Sequence, residues 1–414
     1  MTGLIVQEWI EESGGAEQVL DAMRIALPDA RIACLWNDDP TRFPPETVDE
    51  SWLARTPLRG RKALSLPLMS GTWRRGLGWP TTTPDWILTS SYVFAHHARL
   101  GADPGVAKFS YVHTPARYLW EPDLDSRTSI PLAGLARAYL RGVDRRASAT
   151  SGSLAANSDF VRERIQRAWG RDARVIHPPV ASRSIAAVAD WARRTTPDEQ
   201  AILDALPERG FLLAASRLVP YKRHDSVIRM GAALDIPVVV AGAGPERERL
   251  ESLAAAARVP VHLLGRVSDE LLRALFQRAL AFVFPPIEDF GIIPVEAMAA
   301  GCPVIVNRVG GAAESVLDGI AGAQYDPDDV AGFAQAVEAA SRIAPEAARA
   351  RALEFDTDRF VAEIREWVLG GDETRRREST ARAASGRGSP GQPARSVRRD
   401  QGPSTERPAT GLNE

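Results

Sequence analysis

The chain has 414 residues, 44% hydrophobic and 25% charged, with a formal net charge of −2. That length suits two domains and a tail, with apolar material for a core in each. The near-neutral balance argues against a nucleic-acid partner, and two lone cysteines, Cys34 and Cys302, argue against a disulfide scaffold or a zinc site.

The first twenty residues carry acids and lack a positive leader, so no signal peptide is expected and a cytoplasmic location follows. No run approaches the roughly 20 apolar residues of a membrane span. "GLIVQEW" and "ARIACLW" read as strands, with "GAEQVLDAMRIAL" a helix between them that stops before Pro28. Gly14 and Gly15 open that helix, where free N–H groups can cradle a phosphate; a Gly–Gly there is equally at home in a plain turn.

Arg55 to Trp79 carries six cations (Arg55, Arg59, Arg61, Lys62, Arg74, Arg75) and no acid. With Leu64, Leu66, Leu68 and Trp73 among them, this stretch fits a peripheral contact with an anionic membrane. It fits equally a solvated surface whose apolar side packs on the domain. Further strands are "DWILTSS" and "KFSYVH", the latter ending in His113 with Arg117, Tyr118 and Trp120 close behind. Asp123 and Asp125 spell a D-x-D, yet follow Pro122 without strand context, so metal binding there is not expected. "SATSGSLAANS" leads into the helix "DFVRERIQRAWG", and "ARVIHPPV" closes a first domain over residues 1–180.

A polar, Ala-rich stretch over 181–208 reads as a linker. A second domain over 209–370 restarts with "FLLAASRL" and continues through "PVVVAGAG", "VHLLGRV", "AFVFPP" and "CPVIVN". Strands alternating with helices predict parallel sheets, hence an α/β fold of two facing, doubly wound, Rossmann-like domains with a central cleft. The last helix is expected to return to the first domain. Over 371–414 only Val397 and Leu412 are large and apolar, which predicts a disordered tail.

Two carboxylates stand out in "PPIEDFGIIPVEAMAAGCPVI", Glu288 and Glu296. The spacing predicts a strand over 281–286, a loop over 287–293 and a helix over 294–300. Glu288 then falls outside a strand's carboxyl end, where open sheets bind ligands. Glu296 falls in the first helical turn, able to accept hydrogen bonds from two vicinal hydroxyls. Read singly, one is also a surface acid and the other a helix-start acid. Gly291 lets backbone approach a ligand. Arg217 and Lys222, five apart after "FLLAAS", can neutralise charge growing on a phosphate. As two loop cations they would need no such role.

Together these stretches resemble the retaining GT-B glycosyltransferases of family four, the glycogen-synthase-like and mannosyltransferase-like group. "EDFGIIPVE" matches the family's E-x7-E signature and the run continues through Gly310, Gly311 and Glu314. The resemblance implies a metal-independent hexosyl transfer from a nucleotide diphosphate sugar, with GDP-mannose favoured by "YVHTPARYLW". Glu121 stands where that motif usually has Asp.

By the same resemblance Glu288 meets the sugar hydroxyls, Glu296 the ribose, and Arg217 and Lys222 the diphosphate beside Gly14 and Gly15. Gly242, Gly244, Arg266, Val267, Phe290, Gly291 and Ile292 line the donor. His113 sits by sugar and acceptor. No cofactor or metal is implied, and the acceptor is a glycan, a lipid-linked or a small molecule. A donor-only epimerase and a non-catalytic sugar-nucleotide binder share the same fold.

Overall fold

The computed structural model describes residues 2–76, 83–99, 105–121, 134–208 and 210–370. The expectations for Asp123, Asp125 and the 371–414 tail lie outside these residues.

The first sheet is built from β1 (Gly3–Gln7), β2 (Arg31–Cys34), β3 (Val48–Glu50), β4 (Trp86–Ser91), β5 (Ala107–Val112), β6 (Ser153–Ala156) and β7 (Arg174–Val175). Its order is β3-β2-β1-β4-β5-β6-β7, with every pair parallel. Around it lie α1 (Gly15–Ala26), α2 (Lys62–Arg75), α3 (Arg117–Trp120), α4 (Gly134–Ser148) and α5 (Asp159–Trp169). β1 and β4 are buried along their whole length, because helices cover both faces of a parallel sheet. Local signals set the ends of α5: the Ser158 hydroxyl accepts from the Val161 N–H, and Gly170 closes it at φ 68°.

The second sheet is six-stranded: β8 (Leu212–Ala215), β9 (Val238–Ala241), β10 (Val261–Gly265), β11 (Ala281–Phe284), β12 (Val304–Asn307) and β13 (Gly322–Tyr325), ordered β10-β9-β8-β11-β12-β13. Both sheets are doubly wound, and the strand order reverses between β1 and β4 in one and between β8 and β11 in the other. Those two reversal points are where ligand crevices form.

The 181–208 stretch is not loose connecting material. It forms α6 (Ser182–Ala186), a 3-10 turn at Trp191–Arg194 and α7 (Pro197–Ala205), whose start has a reciprocal Thr196–Glu199 cap. Ile185, Trp191, Leu203 and Leu206 from it are buried in the second domain's core. α8 (His224–Leu234), α9 (Arg247–Ala256), α10 (Asp269–Arg278), α11 (Ile292–Ala300), α12 (Ala312–Ser315), α13 (Phe333–Ser341) and α14 (Pro345–Leu353) complete that domain. A last helix over 357–370 leaves it. Arg365 of this helix donates to the Ala26 carbonyl (3.1 Å) and the Trp367 indole to Ser153 (2.8 Å), both in the first domain.

α2 removes Trp73 and Leu66 from the apolar residues that the membrane expectation would place in an interface. Met69 and Trp73 are fully buried in the first domain's core and Leu66 packs against it, leaving Leu64 and Leu68 exposed. Lys62 and Arg59 are paired with acids of this same domain, Glu11, Asp38 and Glu50. Among the described residues no helix is long and apolar enough to cross a membrane.

Candidate functional site

The loops after β8 and β11 meet at the second sheet's reversal point. Lys222, on the first loop, donates to Glu288 Oε1 on the second at 2.6 Å across 66 residues of sequence. Arg217 stands exposed on the β8 loop, its guanidinium close enough to act on the Glu288 charge. Burial pushes the Glu288 carboxyl up, but Lys222 and Arg117 more than offset it, so the group lies below its ordinary range and is ionised.

Two glycines shape the Arg217 loop from behind. A Cβ on Gly242 would lie 1.9 Å from the Ser216 carbonyl oxygen, and one on Gly244 2.3 Å from that of Leu218. Their need for glycine is therefore met by backbone packing under the loop. Arg266 and Val267 follow β10 at the same carboxyl edge, Arg266 exposed and Val267 against the core.

α11 begins at Ile292, two residues earlier than the sequence suggests, so Glu296 occupies the second turn rather than the first. Gly291 precedes it at φ 89°, a conformation that favours glycine. Glu296 is half-buried, and burial raises its carboxyl to about 7 despite Arg273 nearby. The Phe290 ring packs against His177 and Phe355 in the core, so only its backbone can line the crevice.

From the first domain, His113 follows β5 and is half-buried. Its Nε2 lies 2.8 Å from the Ser90 hydroxyl, with the rings of Tyr92 and Tyr111 edge-on. Burial lowers it to about 4, so it is neutral at pH 7 and serves as a hydrogen-bonding group. Gly15 faces Ile292 of α11: a Cβ on it would lie 3.0 Å from Ile292 Cδ1. Glu17 already places a buried carboxylate at the start of α1, accepting from the Glu11 N–H. An anion at Gly14 and Gly15 would meet that group first.

Several contributors are not visible in the motifs. Asp289, beside Glu288, receives Arg117 and also Arg164 (2.5 Å), both from the first domain. Ser158 donates to the Asp289 carbonyl, and Glu314 holds the N–H groups of Asp159 and Phe160 at the start of α5. These five hydrogen bonds fasten the E-x7-E loop and α12 to the first domain. Glu8, just past β1, is wholly buried and accepts from the N–H groups of Tyr92, Val93 and Ala95, closing the first sheet's reversal point. Nothing in the spacing of these residues pairs them; the pairings span 84 to 172 positions.

Among the described residues one cluster has metal-ligand chemistry: His96, His97 and Asp144. Both imidazoles lie 3.0 Å from Asp144 Oδ1, while Trp120 and Trp169 donate to Oδ2. Its carboxylate is occupied by four N–H donors, a buried network that braces α3 and α4.

Set beside known proteins, residues 196–352 match the family described as glycosyl transferases group 1. The chain is 32% identical over 195 residues to a GDP-mannose-dependent α-(1-6)-phosphatidylinositol monomannoside mannosyltransferase of Mycolicibacterium smegmatis, covering 44% of this chain and 50% of that protein. It is 35% identical over 163 residues to a D-inositol 3-phosphate glycosyltransferase of Salinispora tropica, covering 35% and 33%. The chain thus spans half or less of the length of these curated relatives. Among solved structures, HepE of Anabaena in complex with UDP superposes with a TM-score of 0.62 at 18% identity, covering 88% of this chain and 99% of that one. WaaG, a glycosyltransferase involved in lipopolysaccharide biosynthesis, gives 0.58 at 16% identity over 89% and 100%. These likenesses show the fold.

Proposed function

We propose, from the premise that residues 196–352 are a glycosyl transferases group 1 domain within a GT-B fold, that this chain transfers a hexosyl group from a nucleotide diphosphate sugar to an acceptor with retention of configuration. The observation that carries the reading is the Lys222–Glu288 contact at the reversal point, flanked by Arg217 and faced by Arg117. With Arg164 and Asp289 taken as a neutral pair, three cations surround one carboxylate. That surplus suits a diphosphate whose charge grows as the sugar departs.

In this reading Arg217 and Lys222 stabilise the departing diphosphate, the Arg as a fork and the Lys as a point charge. Glu288 accepts hydrogen bonds from the transferred sugar and Glu296 from the ribose. Neutral His113, on the first domain, contacts sugar or acceptor. The GDP-mannose dependence of the M. smegmatis relative supports that donor as the first to try.

The test is a panel of UDP-, GDP- and ADP-sugars scored by thermal shift, then by release of nucleoside diphosphate with and without sugar, inositol-phosphate and lipid acceptors. The expected result is acceptor-dependent release, with the product anomer retained and unaffected by chelator. Conversion of the donor alone would show an epimerase. Activity abolished by EDTA and restored by magnesium would transfer the diphosphate role from Arg217 and Lys222 to a metal.

Glu296 predicts a pH dependence. Its folded value of about 7 lies above the ordinary 4.5, so the proton is held more tightly in the folded chain. The group's stabilising contribution is complete below the ordinary value and is lost as pH rises through 7. Ribose recognition by an ionised carboxylate runs the opposite way. Nucleotide affinity should rise between pH 6 and 8 in the wild type, and Glu296→Gln should remove the part of that rise not due to the nucleotide's own phosphate. Identical pH profiles in the two proteins would remove Glu296 from the ribose site.

A further inference from the structure

In the first domain, where α4 and α5 meet Trp120, four arginines gather around one tryptophan. Arg141, Arg145, Arg164 and Arg167 line a cavity of about 290 Å³ together with Trp120 and Glu121. None of these four arginines belongs to the proposed donor site, although Arg164 touches it through Asp289.

The cavity is built rather than incidental. Arg141 donates through Nε to the Leu119 carbonyl (3.0 Å) and Arg145 through Nε to that of Ala168 (2.7 Å). Both guanidinium carbons lie 5.1 Å from the centre of the Trp120 ring. Anchoring at Nε and against an aromatic face fixes each fork in direction. Trp120 is itself held, its indole donating to Asp144 at 2.8 Å in the buried network described above. Arg164 is 4% exposed, and its Nε is buried with no hydrogen-bond partner among the described residues. Arg167 meets Glu121 only loosely, at 3.9 Å.

Electrostatics identifies the ligand's class. With Arg164 again paired to Asp289, Arg141, Arg145 and Arg167 face one carboxylate among the described residues, that of Glu121, a surplus there of two positive charges. Like charges held this close repel unless an anion sits among them, and planar forks match phosphate oxygens in pairs. We infer that this pocket binds a phosphate ester, on either a small phosphorylated molecule or a lipid headgroup. The inference stands on the pocket alone and holds whether or not transfer is observed.

Thermal shift and calorimetry with inorganic phosphate and glycerol 3-phosphate, against chloride at equal ionic strength, test it on the full chain. The wild type should be stabilised by phosphate specifically. Arg217→Ala should keep that response, since the donor site is elsewhere. Arg145→Gln/Arg167→Gln should weaken phosphate binding at least about tenfold, the scale of one lost charge-assisted hydrogen bond. Because Arg145 also holds the Ala168 carbonyl, the exposed single variant Arg167→Glu is run beside it and should weaken binding in the same direction.

Co-sedimentation with phosphatidic acid vesicles separates the sources. Capture that Arg167→Glu abolishes assigns the pocket to a headgroup, and binding of glycerol 3-phosphate without capture assigns it to a small ester. A wild type indifferent to phosphate overturns the proposal. So does a response lost in Arg217→Ala and kept in both pocket variants.

Discussion

Replacing Lys222 with alanine is expected to lower kcat by about 10²–10³-fold, on the order of 3 kcal/mol of transition-state stabilisation. Two effects combine. The departing diphosphate loses the ammonium nearest the reversal point, and Glu288 loses the partner 2.6 Å away that keeps it ionised despite burial. With Arg117 at 3.7 Å as its closest remaining cation, the Glu288 carboxyl should move up towards neutrality.

The variant should therefore show a new dependence of kcat on pH in the acid range. A variant that lacks only the phosphate contact, Arg217→Ala, should show it much more weakly, because Arg217 acts on Glu288 less than Lys222 and Arg117 do. Substrate KM should change less than kcat, since the contact strengthens as charge develops. Steady-state kinetics across pH would decide the matter. A Lys222→Ala enzyme within threefold of wild type would remove this residue from the chemistry.

The second large effect belongs to Asp289. Changing it to alanine strands Arg164, 4% exposed, and Arg117, both of which it pairs. Removing one partner of a buried ion pair typically costs about 3–5 kcal/mol, because the remaining charge is left without compensation. The melting temperature should fall by several degrees. Activity should fall too, because the same loop carries Glu288 and the lost pairs fasten it to the first domain.

Asp289→Ala/Arg164→Met should recover part of the melting temperature, since replacing a buried pair with apolar groups is often neutral. The double variant should not recover activity, because the two ion pairs that hold the E-x7-E loop to the first domain are still missing. A single variant that melts like the wild type would mean the contact is incidental to the fold. One that melts lower but turns over normally would mean it plays no part in placing Glu288.

The local order of this protein was legible in its sequence. Continuous apolar runs such as "PVVVA" and "AFVF", short, β-branched or aromatic and bounded by Gly or Pro, read as strands buried on both faces, and they are β9 and β11. Ser158 before α5, Gly170 after it and the Thr196–Glu199 pair each act within a few residues, so a linear reading finds them. Glu288 and the cations Arg217 and Lys222 were also readable, because a strand's carboxyl end predicts where a loop side chain must go. The start of α11 was not: Pro294 is tolerated in a helix's first turn generally, so it could not show that the helix begins at Ile292.

Other decisions needed the folded chain. The apolar residues of 181–208 are scattered among polar ones, and only the folded core of the second domain gives Trp191 and Leu203 something to pack on. Trp73 reads equally as a membrane anchor or a core residue until the first domain supplies a pocket that buries it completely. Arg117 reaches Asp289 across 172 positions, and Glu314 caps α5 across 155. No periodicity reports such pairs, because what selects them is which loops the two sheets bring to a common edge. The four arginines of the pocket come from two helices, α4 and α5, which Asp144 of α4 bridges by accepting from the Trp169 indole of α5.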